Sequence, residues 1–324
     1  MGFWEYYHLP ATVEDALASL SVYDGKARVV AGGTDLILEL QQGRKPPVSA
    51  LVDVTRVPEM IRIEERDGHI YVGAAATHTA IVASPLIASG ATCLVESCGV
   101  IGGPQVRNVA TLGGNVAHAL PAGDGTISLV ALEAEAEVAM TDHARQTTDD
   151  GRTTAVAHRP SSVVVHREWR PVLSLFKGPG KSTLDPAREL IVRFRFQTAG
   201  HGQASAFTRM MRPQGVALPI MGMAVWMRVT GAVVDEARIA LGPAGPTPLR
   251  ATKAEAYLSG IPLVDDVIPQ IADLILQAAH LRTSPHRATA DYRTELIPVL
   301  AERALKLAYR RAVTGVAEPE GLGL

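Results

Sequence analysis

Residues suited to holding a ligand gather in two glycine-rich stretches, VVAGGTDL at Val29–Leu36 and ATLGGNVAHALPAGD at Ala110–Asp124, about 80 residues apart. Each places adjacent glycines beside a short hydroxyl or amide side chain. Without Cβ atoms in the way, backbone N–H groups can converge on an anion, and a helix opening at Thr34 would add its positive end. The chemistry so specified is that of a phosphate cradle, with a diphosphate as its natural guest. Thr34, Thr111 and Asn115 add side-chain donors where the backbone comes closest. Asp124 can accept a hydrogen bond from a ligand hydroxyl or ring N–H, or it can cap the helix expected over Gly125–Leu132. His118 reads as structural or solvated, or else as a contact near a bound ring, and Arg107 as a phosphate counter-charge or a surface arginine.

The familiar nucleotide fingerprints are missing. No G-x-G-x-x-G follows the first strand, no G-x-x-x-x-G-K-[ST] occurs, and GPGKS at Gly178–Ser182 reads as a turn. H-E-x-x-H and G-x-S-x-G are absent too, so zinc and serine hydrolase chemistry have no support, and no catalytic residue or metal ligand is expected in this chain. Cys93 and Cys98 are the two cysteines present, too few for a four-thiolate cluster, and they read as free buried thiols. With 31 Lys and Arg against 33 Asp and Glu, the formal charge of -2 gives no basic field for nucleic acid. No apolar run of membrane-spanning length and no secretory leader pattern is seen, which sets a cytoplasmic expectation.

Around the two stretches the elements read as short. Thr12 caps a helix through Leu20, a strand covers Arg28–Ala31, a helix capped by Thr34 or Asp35 runs to Gly43, and Ala50–Val54 completes a small β-α-β unit. Two strands flank Asp67-Gly68, helices follow at Thr79–Ser84 and Pro85–Val95, and a strand covers Glu137–Met140. Residues 141–171 read as a polar surface excursion. A second, strand-rich unit is expected from ELIVRFRF onward, ending in helices over Val264–Val313. There Leu296, Leu300, Ala304 and Leu307 form a core stripe, opposite Glu302, Arg303, Lys306 and Arg310. The length of 324 residues suits such a division: 1–186, with subdomains of about 1–56 and 57–186, then 187–324.

Five segments in order carry a resemblance to a known family: AGGTDL, VGAAATH, QVRNVATLGGN with PAGD, ARIALGPAGPTPLRATKAEAYLSG, and DYRTELIPVLAERAL. Together they resemble the FAD-binding medium subunit of molybdenum hydroxylases, the xanthine dehydrogenase and carbon monoxide dehydrogenase family. The resemblance implies an α+β chain: a two-subdomain FAD-binding domain of the vanillyl-alcohol oxidase (PCMH) type, then a smaller C-terminal α+β domain with an antiparallel sheet and helices. It implies FAD held by Val29, Val30, Ala31, Gly32, Gly33, Thr34, Asp35 and Leu36 and by Thr111, Leu112, Gly113, Gly114 and Asn115. Asp124 and Leu190 match positions beside the flavin, while Thr208 and Arg209 stand where some relatives carry a flavin-contacting lysine.

A flavin accepts electrons singly and releases them in pairs, so such a subunit needs no acid or nucleophile of its own. The resemblance puts molybdopterin on a large partner subunit and [2Fe-2S] clusters on a small one, in a dimer of heterotrimers. A benzoyl-CoA reductase-like branch carries a further cluster on the flavin subunit, which the cysteine count here opposes. The alternative reading is a stand-alone flavin oxidoreductase on the same fold.

Overall fold

Short elements with side-chain caps dominate the N-terminal part of the chain. The computed structural model describes residues 2–141, 164–212, 218–285 and 287–320. Strand β1 (Tyr6–His8) leads to helix α1 (Val13–Ser21), whose first turn is closed by the Thr12 hydroxyl accepting from Asp15 N–H at 3.0 Å. Strand β2 (Ala27–Val30), helix α2 (Leu36–Gln41) and strand β3 (Ala50–Asp53) follow. The three strands form a parallel sheet in the order β1-β3-β2, so the expected β-α-β unit is present. Its strand ends at Val30 and Asp53 aim the glycine turn at Gly32-Gly33 away from the sheet, where ligand sites of open parallel sheets form.

The next unit begins with α3 (Pro58–Ile61) and the hairpin β4 (Ile63–Arg66) to β5 (His69–Gly73). Asp67 and Gly68 both take left-handed angles, φ +53° and +71°, as an Asp-Gly hairpin turn requires. Six helices then run in succession: α4 (His78–Val82), α5 (Pro85–Gly90), α6 (Thr92–Gly99), α7 (Pro104–Arg107), α8 (Leu112–Ala117) and α9 (Asp124–Ala131). Strands β6 (Glu135–Thr141) and β7 (Val165–Pro171), the small hairpin β8 (Phe176–Gly178) to β9 (Lys181–Ser182), and β10 (Glu189–Gln197) complete it.

Two sequence expectations change here. ELIVRFRF does not open the second unit: it is β10, at the centre of an antiparallel sheet in the order β4-β5-β10-β6-β7. The reason is its alternation, which turns Phe194 and Phe196 into the first core and sets Arg193 and Arg195 against Glu137 and Glu135 of β6, at 2.6 and 2.8 Å. Within the expected excursion 141–171, residues 142–163 lie outside the described residues. Its C-terminal portion is β7, an edge strand that Arg167 fastens to Glu59 at 2.7 Å. GPGKS is a hairpin turn, with Gly180 at φ +67°.

Strands β11 (Gln203–Met211), β12 (Pro219–Thr230), β13 (Val233–Gly242) and β14 (Leu249–Arg250) form a third sheet. After α10 (Thr252–Leu258), β15 (Ile261–Pro262) pairs with β13, and helices α11 (Ile268–Ala278) and α12 (Ala290–Thr314) close the chain's second half. The apolar run of β12 is buried on both faces. Ala224 and Trp226 join the first core, whereas Met223, Val225 and Met227 join a second core with Leu296, Leu300 and Ala304 of α12. A continuous apolar strand is what such two-sided burial demands. The third sheet is thus a shared wall between the two units.

Candidate functional site

The two glycine stretches meet. Gly32 lies so close to the segment before α8 that a Cβ built on it would sit 2.1 Å from the Val109 carbonyl oxygen and 2.7 Å from Ala110 Cα. His118, at the far end of α8, reaches across with Nδ1 3.2 Å from Asp35 and Nε2 3.4 Å from Glu39 on α2. Those carboxylates hold the His118 pKa above its ordinary value, led by the Asp35 hydrogen bond, and His118 draws the Asp35 carboxyl below its own. His118 is therefore a strut between the turns.

VGAAATH supplies the third wall. The amides of Leu112 and Gly113 donate to the carbonyls of Ala76 and Ala74 at 3.2 and 2.8 Å, and the His78 amide donates to Ala110 at 3.0 Å. A Cβ on Gly113 would meet the Ala74 carbonyl oxygen at 2.6 Å, so glycine is required there by close backbone approach. His78 itself is buried, with Nδ1 3.3 Å from the Cys98 sulfur, and burial lowers its pKa to about 4. Both cysteines are free, and burial raises their thiol pKa values.

Unequal roles emerge for the two turns. In the second, Gly114 N–H is taken by the Thr111 hydroxyl at 3.1 Å, Asn115 N–H by the Thr111 carbonyl at 3.0 Å, and the Asn115 side-chain oxygen accepts from Thr126 N–H and hydroxyl, both at 3.1 Å. Thr111 is thus a helix cap and Asn115 a tie to α9. Leu112 is buried in the core, as are Val30 and Leu190, the last paired in register with Ala139. In the first turn the amides of Gly32, Gly33 and Thr34 have no acceptor among the described residues, and Gly33 sits at φ +68°. Asp35, at the N-cap position of α2, has helical angles, φ -98° and ψ -51°, and makes no cap hydrogen bond, and its carboxylate faces His118 instead. Val29, Ala31, Thr34 and Leu36 are half-buried around these amides.

Asp124 opens α9, 3% exposed, and forms an ion pair at 2.6 Å with Arg209 of β11. Arg209 also donates to the Val100 carbonyl, so it joins α6, α9 and the third sheet. Burial raises the Asp124 pKa to about 6 against the opposing pull of Arg209. Its Oδ1 and the Arg209 Nε have no hydrogen-bond partner among the described residues. Thr208, the neighbouring candidate, instead points its hydroxyl at the Leu300 carbonyl, 3.5 Å away. Arg107 is buried and bonds the carbonyls of Ile101 and Gly102, so it is a brace for the loop before α7.

The sequence reading missed a further group at the rim. Asp53, at the end of β3, receives the Tyr7 hydroxyl at 2.6 Å and the Thr55 amide and hydroxyl at 2.8 and 2.7 Å, and Val54 N–H donates to the Val30 carbonyl. The convergence of parallel strand ends was the available signal for it.

An FAD molecule places two demands on such a site: free N–H groups for its diphosphate and polar atoms for its ring. The three amides of Gly32–Thr34 meet the first demand and the orphaned Asp124 Oδ1 the second, so the residues present fit the group.

Comparison with known proteins agrees with this geometry. Residues 2–150 match the FAD binding domain in molybdopterin dehydrogenase, and residues 205–308 the CO dehydrogenase flavoprotein C-terminal domain. A putative xanthine dehydrogenase FAD-binding subunit of Escherichia coli K12 is 28% identical over 94% of this chain and 96% of its own. The carbon monoxide dehydrogenase medium chain of Hydrogenophaga pseudoflava is also 28% identical, over 94% and 97%. A solved carbon monoxide dehydrogenase from that organism, lacking the Mo-pyranopterin moiety of its cofactor, superimposes with a TM-score of 0.81 at 28% identity over 95% of this chain and 98% of that one. With two family domains in order, a common fold and relatives matched end to end, the chain belongs to the FAD-binding medium subunits of the xanthine and carbon monoxide dehydrogenase family.

Proposed function

We propose that this chain is the FAD-carrying electron-transfer subunit of a molybdenum hydroxylase complex, passing electrons between the iron-sulfur clusters of a partner subunit and an external acceptor. One observation carries the reading: the first glycine turn, with its free amides, is braced by Gly32 against Val109–Ala110 and by His118 against Asp35. When bound, FAD supplies the exchange of single electrons for pairs.

The chain's own residues then divide the work. Gly32, Gly33 and Thr34 would donate backbone N–H groups to the diphosphate, flanked by Val29, Val30, Ala31, Asp35 and Leu36. Thr111, Leu112, Gly113, Gly114 and Asn115 hold that turn in place, and Gly114 is on the exposed face of α8, where a Cβ would meet only the Thr111 hydroxyl, at 3.2 Å. Asp124, paired with Arg209, would offer its carboxylate to the ring system as a hydrogen-bond acceptor. Leu190, buried in the core, would back the ring from behind.

In this reading the flavin-holding unit extends through Gln197 and the C-terminal unit begins at Gln203. The partners are a large molybdopterin subunit and a small [2Fe-2S] subunit, assembled as a cytoplasmic dimer of heterotrimers. The purified chain should be yellow and release FAD in a one-to-one ratio on denaturation. A folded, colourless chain that takes up no added FAD refutes the assignment. Co-purification that returns no molybdopterin-bearing partner refutes the assembly.

A further inference from the structure

The methionines of this chain differ sharply in their access to solvent. Among the described residues, Met60, Met221, Met223 and Met227 are buried, and Met140 and Met210 are half-buried against the two cores. Met211, the last residue of β11, is 43% exposed. Its sulfur nevertheless has a partner inside the protein: it accepts a hydrogen bond from Arg209 Nη2 at 3.3 Å. The two residues are neighbours on one face of β11, as positions two apart on a strand must be. Arg209, only 6% of whose side chain is exposed, is in turn the 2.6 Å partner of Asp124. Met211 therefore touches solvent on one side and the buried Asp124–Arg209 pair on the other.

A planar guanidinium presents Nε and Nη2 along one edge, spaced to share a strong acceptor. On that edge of Arg209, Nη2 meets the Val100 carbonyl and the Met211 sulfur, while Nε is buried with no hydrogen-bond partner among the described residues. A thioether is a weak acceptor, so the edge is left underused, and an unpaired buried N–H is a group that native proteins seldom keep. An oxygen on the Met211 sulfur would supply the strong acceptor that this edge lacks.

We propose that Met211 is an oxidation site for hydrogen peroxide, and that its sulfoxide is held by the Nε–Nη2 edge of Arg209, so that oxidation at the surface is passed on to Asp124. In the step, the sulfur lone pair attacks one peroxide oxygen and an S–O bond forms as the O–O bond breaks. The proton of the transferred hydroxyl joins the departing hydroxide as water; sulfur loses two electrons and peroxide gains them. The new oxygen carries partial negative charge and faces the guanidinium, which weakens the hold of Arg209 on the Asp124 carboxylate. The site stands on the Arg209–Met211 contact and not on the flavin reading, and only its effect on FAD affinity rests on that reading.

The test treats the purified, FAD-loaded chain with hydrogen peroxide and follows each methionine by peptide mass spectrometry. Met211 is expected to gain oxygen about tenfold faster than the buried Met60, Met221, Met223 and Met227. Infrared titration should then show the Asp124 carboxyl protonating at higher pH in the oxidised chain, and FAD affinity should fall by about threefold. Met211→Leu, of similar volume and without sulfur, should show neither change after the same treatment. Oxidation spread evenly over the methionines overturns the proposal, as does a sulfoxide at Met211 that leaves the Asp124 titration where it was. A shifted Asp124 titration with unchanged FAD affinity supports the site and counts instead against placing the flavin beside Asp124.

Discussion

Replacing Gly32 by alanine puts the union of the two turns under direct strain. The new Cβ would stand 2.1 Å from the Val109 carbonyl oxygen, 2.7 Å from its carbon and 2.7 Å from Ala110 Cα, against ordinary contacts of 3.4 to 4 Å. Every atom it meets is backbone, so no rotamer change relieves the clash, and one turn must back away by more than about 1 Å. Overpacking of that kind costs about 1–3 kcal/mol. Because the strain is relieved by separating the elements that together frame the ligand, most of the cost should appear in FAD binding. At 1.4 kcal/mol per factor of ten this is about a tenfold to hundredfold loss of affinity. The assay is the FAD-to-protein ratio after desalting, with a dissociation constant from the fluorescence of released FAD. Gly178→Ala, where a Cβ meets nothing within 4 Å, serves as control. If Gly32→Ala retains FAD like the wild type, the turns do not depend on each other and the reasoning fails.

Other consequences are equally direct. His118→Gln should flatten part of the pH dependence of stability: the His118 contribution is complete below its unfolded pKa of about 6.5 and is lost as pH rises through its higher folded value, and the Asp35 contribution is lost as pH falls through a folded value below the ordinary one. Urea midpoints at about pH 6 and about pH 8.5 should therefore differ less in the variant than in the wild type. Arg311→Met strands the Glu96 carboxylate, 2% exposed, and should cost about 3–5 kcal/mol, much of it recovered in the Glu96→Gln, Arg311→Met double variant by denaturant titration. Arg209→Met leaves Asp124 buried without its 2.6 Å partner, and should raise the Asp124 pKa further and lower FAD affinity, whereas Arg209→Lys should restore part of both. Infrared titration of the Asp124 carboxyl that shows no upward shift in Arg209→Met would contradict the pairing.

Features written in neighbouring residues were legible before any coordinates. Thr12 and Asp15, Asp67 and Gly68, and the glycine pairs each declare a cap or turn within a few positions, and the apolar stripe of α12 declares its core face. Pairings over long sequence distance were not. The assignment of β10 rests on Arg193 and Arg195 meeting Glu137 and Glu135 nearly 60 residues earlier, and ELIVRFRF alternates equally well beside any strand. For the site, residue types were readable and the division of labour was not. Thr111 and Asn115 are as fit to hold a phosphate as to cap a helix and tie α9, and only the fold decides that the second turn spends its donors internally while the first keeps three amides free. Arg209 and Asp124, 85 residues apart, find each other because α9 packs on β12 and β13 of the shared sheet, in which β12 lies beside β11.

One buried carboxylate settles how the molecule can move. Glu96, inside α6, receives the Phe207 amide at 2.7 Å, Arg311 Nη2 at 2.6 Å and the Glu320 amide at 2.8 Å, while Arg311 also grips the Ser205 carbonyl at 2.9 Å. Opening the halves like a book would separate this anion from every protein donor it has, and small displacements that break the bonds before water can enter are the costly ones. The two halves are thereby pinned at a point outside the glycine turns, as in a cast bracket, and movement of one against the other carries the cost of breaking all of these bonds at once.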